Sequence, residues 1–140
     1  MTSITTEKAP QAVGPYSQAV AAGGLLFLSG QIALVPETGQ LCEGGIEVQT
    51  EQLIANLRAV LQAAGCGLGD VVKTTCYLTD LNNFAAFNEV YGRHFTGRPA
   101  RACVEVSALP KGVLAEIEAI AALPAGKEVI DGCRNNSPSD

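Results

Sequence analysis

Two periods organise the apolar positions of this chain, and the shorter one marks its chemistry. Between residues 98 and 121 the period is two. Ala102, Val104 and Val106 point one way, and Arg101, Cys103 and Glu105 the other. Farther on, Ala115, Ile117, Ala119 and Ala121 share a side, while Leu114, Glu116, Glu118 and Ile120 take the opposite one. Leu109-Pro110-Lys111-Gly112 lies between them and has the residues of a chain reversal. The stretch therefore predicts a hairpin. One face packs a core; the other gathers an arginine, a cysteine and three carboxylates on stiff strands, as a small-molecule site requires.

The remaining pattern runs as follows. A short strand is expected near Ile4, then a Pro-bounded segment at 10–15. Residues 16–22 and 25–30 flank Gly23-Gly24, a two-residue hairpin signal. Residues 25–28 are apolar on both faces and predict a central strand. A polar loop occupies 36–45. Leu53, Leu57, Val60, Leu61 and Ala64 recur at helical spacing within 46–64, and Gly65 is a natural stop. In the strand at 71–78, Val72, Thr74, Cys76 and Leu78 should face one way and Val71, Lys73, Thr75 and Tyr77 the other. Asn83 is an expected N-cap for a second helix over 84–95. Its stripe is Phe84, Asn88, Tyr91 and Phe95, which sets a polar residue in an apolar seam.

Strands, helix, strand, helix, strands is an α+β order: a single mixed sheet with both helices packed on one face. The uncovered face is expected to hold Arg101 and its neighbours. A self-complementary oligomer is the simplest way to cover it. The pattern assigns one domain to 1–122 and a C-terminal extension, with a mobile end, to 123–140.

Composition narrows the function. The chain has 140 residues, 47% of them hydrophobic and 16% charged, which suits one packed domain. A net charge of −5 speaks against nucleic acid as a partner. No apolar run reaches a membrane span, and the N-terminus has no secretory pattern. The five cysteines, at 42, 66, 76, 103 and 133, form no Cys-x-x-Cys pair. They read as reduced thiols in the cytoplasm, with no metal site suggested.

Several motifs in order carry a family resemblance. They are GPYSQA at 14–19, LSGQI at 28–32, Asn56-Leu57, VVKTTCYLTDLNNF at 71–84, FNEVY at 87–91, and PARACVEVSALPKG at 99–112 followed by AEIEAIA. Over residues 3–122 the chain resembles the RidA (YjgF/YER057c/UK114) family of reactive-intermediate deaminases. The resemblance implies a chorismate-mutase-like fold and a homotrimer with pockets between subunits. It implies hydrolysis of reactive enamines and imines, such as 2-aminoacrylate and 2-iminobutanoate or 2-iminopropanoate, to 2-keto acids and ammonia, without a cofactor. By matching motifs, Arg101 would clamp the substrate carboxylate and Glu116 would hold the attacking water. Cys103 would line the site largely through its main chain, and Tyr16, Ser29 and Asn88 would complete the pocket. Ala115 stands where the family usually has a bulkier aliphatic residue; its side chain should face the core.

Those roles are chemically coherent. A guanidinium meets a carboxylate with a planar, charge-assisted fork; the alternative for Arg101 is an ion pair with Glu105. A carboxylate can orient a water and accept its proton, but residue pattern alone does not separate Glu116 from Glu105 and Glu118. Cys103 has no visible activating base, since His94 is the one histidine and sits at a helix end. Tyr16 and Ser29 have bland alternatives as a strand-edge aromatic and a hydroxyl bonded to backbone. Asn88 could instead fix subunit register. Three rival functions are a non-catalytic module binding 2-keto acids, an RNA-cleaving translation inhibitor and a protein-stabilising or chaperone role.

Overall fold

The structure is a computed structural model and describes residues 1–124. Its elements are β1 (Thr2–Ile4), β2 (Ala19–Ala22), β3 (Leu25–Gln31), α1 (Ile46–Ala63), β4 (Val71–Leu78), α2 (Phe84–His94), β5 (Ala100–Glu105) and β6 (Ala115–Ala122). The strands form one six-stranded sheet in the order β1-β2-β3-β6-β4-β5. Neighbours run antiparallel except β4 and β5, which are parallel. A parallel pair needs a crossover, and α2 supplies it.

Both helices cover one face. Leu53, Leu57 and Leu61 of α1 and Phe87 and Val90 of α2 are fully buried against Leu26, Cys76, Leu78 and Ile117 of the sheet. Each such leucine stabilises the fold by roughly 1.5–3 kcal/mol. Ala115 faces this core, as expected, and is fully buried. Gly65 ends α1 at φ 79°, where Gly65 N–H donates to Gln62 O and Cys66 N–H to Leu61 O at 3.0 and 2.8 Å. Gly23 and Gly24, at φ 60° and 79°, make the expected reversal between β2 and β3.

The hairpin expected over 98–121 does not form. β5 and β6 are not neighbours; β4 lies between them and pairs with both. Alternation fixes which side chains share a face but not which strand sits alongside. The chain between β5 and β6 instead crosses the end of β4, where Val106 N–H donates to Leu78 O and Thr79 N–H to Leu114 O.

A second correction follows from the register. Arg101 pairs with Thr74, Cys103 with Cys76 and Glu105 with Leu78. Thr74, Cys76 and Leu78 are buried beneath the helices, so Arg101 lies on the helix side of the edge strand and not on the uncovered face. Glu116 pairs with Tyr77 and Glu118 with Thr75 on the opposite face. That face carries Phe27 and Val104, 43% and 44% exposed.

Smaller departures have local causes. A register shift between Val71 and Lys73 turns Val71 inward and Val72 outward, reversing their expected sides. β3 is interior in the sheet, but only Leu26 and Leu28 of residues 25–28 are buried. Asn83 makes no side-chain cap; Asp80 Oδ1 accepts from Asn82 N–H ahead of α2. Asn88 is exposed at the rim of the α2 stripe. No helix among the described residues is long and apolar enough to cross a membrane. Cys133 and the tail end lie outside the described residues.

Candidate active site on two faces of one sheet

The six residues singled out in the sequence fall into two groups. Tyr16, Ser29 and Glu116 line a cleft of about 820 Å³ that also reaches Glu118 and Lys111. Arg101, Asn88 and Cys103 lie on the helix side of the sheet. Within one chain the structure does not bring the two groups together.

The cleft begins at an irregularity in β3. Leu28 pairs with Ala119 and Gln31 with Ile117, so β3 carries one extra residue around Ser29-Gly30. Such bulges re-aim side chains beside sites. Ser29 Oγ donates to Ser17 O at 2.6 Å, and Ser29 N–H donates to Gln18 O at 3.0 Å. The Ser29 hydroxyl proton is therefore committed to backbone at the wall of the cleft. Gly30 has no unusual backbone angle; its role is space. A Cβ there would sit 2.8 Å from Glu116 Cδ and closer still to Oε2. The carboxylate of Glu116 occupies the notch left by that missing side chain. Burial raises the Glu116 pKa above the usual carboxylate range, and the neighbouring Glu118 charge adds to the effect. Tyr16 stands at the rim, 52% exposed.

Two buried amides hold the walls. Gln18 donates to Thr6 O and Pro10 O at 3.1 and 2.8 Å and accepts from Thr6 N–H at 2.7 Å. Asn56 of α1 donates to Ile32 O and Leu34 O at 3.0 and 2.9 Å. Neither role was visible in the residue pattern, although both amides fall within the quoted motifs.

On the other face, Arg101 is held as a planar cation. Its Nη1 donates to Asn88 Oδ1 at 2.6 Å. Its guanidinium carbon lies 4.8 Å from the Tyr91 ring centroid and 5.5 Å from that of Phe84. Tyr91 is fixed in turn by a buried 2.7 Å hydrogen bond between its hydroxyl and Thr74 Oγ1. Glu105, the ion-pair alternative, instead accepts from Leu81 N–H at 2.8 Å. Arg101 remains exposed, oriented but not neutralised by Glu105.

Cys103 is partly buried, and its pKa is raised by burial, with Arg101 pulling the other way. Cys76 beside it is pushed up to about 12 by burial and by the Cys103 charge. Both thiols stay protonated near neutral pH, which suits lining and not nucleophilic attack. His94 is engaged elsewhere. Its Nε2 lies 2.7 Å from Glu51 Oε1, and Arg58 Nη2 lies 3.0 Å from its Nδ1. Among the described residues no three His, Cys, Asp or Glu side chains converge to hold a metal ion.

A family model described as Endoribonuclease L-PSP matches residues 6–123, which span every residue of both groups. The chain belongs to the RidA family. The "RutC family protein slr0709" of Synechocystis sp. is 56% identical over 127 residues, covering 89% of this chain and 98% of that protein. The 2-iminobutanoate/2-iminopropanoate deaminase of Homo sapiens is 49% identical over 119 residues, covering 84% and 87%. Among solved structures, E. coli TdcF with bound serine superposes with a TM-score of 0.84 at 43% identity, covering 89% of this chain and all of that one. The RidA family thus accounts for the mixed sheet, the two helices on one face and the motifs around both groups.

Proposed function

We propose that the protein is a hydrolytic deaminase of small enamine and imine acids, such as 2-aminoacrylate, 2-iminobutanoate and 2-iminopropanoate. Each turnover consumes one water and yields a 2-keto acid and ammonia. Arg101 binds the substrate carboxylate. Glu116 orients a water toward the imine carbon and accepts its proton as the C–O bond forms. The same carboxyl returns that proton to nitrogen to give the carbinolamine, then takes the hydroxyl proton and passes it to nitrogen, so that ammonia leaves as the carbonyl forms. For an enamine, protonation of the terminal carbon comes first, and a carboxyl with a raised pKa is suited to supply it.

The observation that carries this reading is the Gly30 notch, which seats a partly desolvated carboxylate at the floor of an open cleft. Similarity to a relative named as a 2-iminobutanoate/2-iminopropanoate deaminase supports the chemistry. Because Arg101 and Glu116 lie on opposite faces of one sheet, the reading requires Arg101 of one subunit at the cleft of its neighbour. A homotrimer with pockets between subunits meets that requirement, and also covers Phe27 and Val104. Asn88 then positions Arg101, and Tyr16 and Cys103 line the pocket. Among the described residues Cys42, Cys76 and Cys103 form no disulfide; the reading assigns the protein to the cytoplasm.

The endoribonuclease in the family description has less support here. The charged residues lining the cleft are three carboxylates, Glu37, Glu116 and Glu118, against one cation, Lys111. That balance repels a polyphosphate chain. The test generates 2-aminoacrylate in situ with a dehydratase and traps free imine with semicarbazide. A deaminase lowers the trapped fraction, and Arg101→Ala abolishes the effect. Unchanged trapping together with retained 2-ketobutyrate binding would favour a binding module.

A further inference from the structure

We propose that Glu118 is a positioning residue of the reaction: it holds a negative charge beside Glu116, and so fits the cleft to take the enamine form of its substrates as well as the imine form. This rests on the deaminase reading and gives a part to Glu118, which that reading leaves without one. The first ground is placement. Glu116 and Glu118 are two residues apart on β6 and point from the same face, so their backbones are separated by roughly 7 Å. Both line one cleft. Tyr77 on β4 pairs with Glu116 in the ladder, yet its hydroxyl donates to Glu118, the diagonal neighbour. Burial, and then the Glu118 charge, raises the Tyr77 pKa, so the phenol stays a donor at neutral pH. Glu116 is seated from the other side by the Gly30 notch. The two carboxyls are thus held side by side by different strands, one by β3 and one by β4.

The second ground is the chemistry. The two substrate forms ask opposite things of Glu116. An imine needs the ionised carboxylate, which accepts a proton from the attacking water. An enamine needs the acid. Its terminal carbon takes the Glu116 proton as the nitrogen lone pair closes the C=N bond; water then adds to the iminium carbon and gives a proton back to Glu116. That proton passes to nitrogen, the hydroxyl proton replaces it on the carboxyl, and ammonia leaves, so Glu116 ends the cycle protonated as it began. The third ground is charge. The titratable groups that face this pair are Tyr77 and Lys73 of β4 and, from the loops, Tyr16, Glu37 and Lys111. The proposed assembly adds Arg101 of a neighbouring subunit. The cations Lys111 and Arg101 favour an ionised Glu116; Glu118, tied by Tyr77, opposes them from the same strand. Burial first, and then Glu118, raises the Glu116 pKa. Neighbouring carboxyls that push each other's titration apart are how one site keeps both acid and base at hand.

The experiment uses the full chain and two sources of substrate. A serine dehydratase releases 2-aminoacrylate as the enamine, and an amino-acid oxidase acting on alanine releases 2-iminopropanoate. Semicarbazide trapping gives kcat/KM for each as a function of pH. At pH 8, Glu118→Gln should lower kcat/KM for the enamine about threefold or more, the effect of one charge roughly 7 Å away even in water, and leave that for the imine within about a factor of two. The rise of the imine profile with pH should come at lower pH than in wild type. Glu118→Asp, which keeps the charge, should restore both profiles. A merely structural role would lower both substrates alike and move neither profile; that result overturns the assignment and leaves the deaminase reading standing. A Glu118→Gln chain that matches wild type on both substrates overturns it too. A wild-type chain that consumes neither substrate overturns the deaminase reading, and the part of Glu118 with it.

Discussion

Gly30 and Glu116 compete for one volume. A Cβ at position 30 would fall 2.8 Å from Glu116 Cδ, and the carboxylate oxygen would be nearer still. Gly30→Ala should therefore displace the Glu116 carboxylate while leaving the sheet intact, since the obstructing group is the end of a flexible side chain. We expect kcat/KM for 2-aminoacrylate to fall about a hundredfold, the scale of a misplaced catalytic group, with Tm changed by only a few degrees. Steady-state kinetics and a thermal melt on the same sample check this; unchanged kinetics would contradict it.

The raised pKa of Glu116 has a consequence for stability. Its folded-state pKa lies above the unfolded value, so the folded protein binds the proton more tightly. Its favourable contribution is present below the unfolded pKa and is lost as pH rises through the folded one. Glu116→Gln, which cannot ionise, should be more stable than wild type near pH 7, and the difference should shrink toward pH 4. Urea denaturation at the two pH values checks the sign.

Arg101 is oriented by Asn88 at 2.6 Å and by two aromatic faces. Lysine keeps the charge but loses the planar fork and the stacking. Arg101→Lys should raise KM about tenfold or more, the worth of a hydrogen bond to a charged group. Asn88→Ala should have a smaller effect in the same direction. Full kinetic curves for both variants separate KM from kcat.

Asn56 is buried with its amide bonded to two loop carbonyls. Asn56→Leu would leave Ile32 O and Leu34 O without that donor. The expected loss is about 2–4 kcal/mol, larger than for most substitutions, because buried acceptors lose their partner. Equilibrium unfolding in urea measures it.

The parts of this fold legible in the sequence were those set by local chemistry. Gly23-Gly24 marked its turn, Gly65 its helix stop, and the alternation around Arg101 and Glu116 their strands. Pairing partners were not legible. The reversal at Leu109–Gly112 suggested adjacent strands, yet a longer connection carries the chain past β4, which is held from both sides by β5 and β6. That insertion moves Arg101 and Glu116 to opposite faces. The outward turn of Val72 depends on a register shift with no signature in residue type. The candidate site was legible as residue types and motifs. The Gly30 notch and the loop anchors Gln18 and Asn56 were not, because each depends on contacts between segments distant in the chain.

Those opposite faces lead to the most direct measurement. Arg101→Ala and Glu116→Gln chains are each expected to be inactive alone. Unfolded together and refolded as a mixture, they should form assemblies in which an intact Arg101 from one chain meets an intact Glu116 from another. With random mixing in a closed symmetric ring, about a quarter of the sites would be restored, and deaminase activity should recover to about that fraction. Mixed assemblies that form and remain inactive would contradict a site shared between chains.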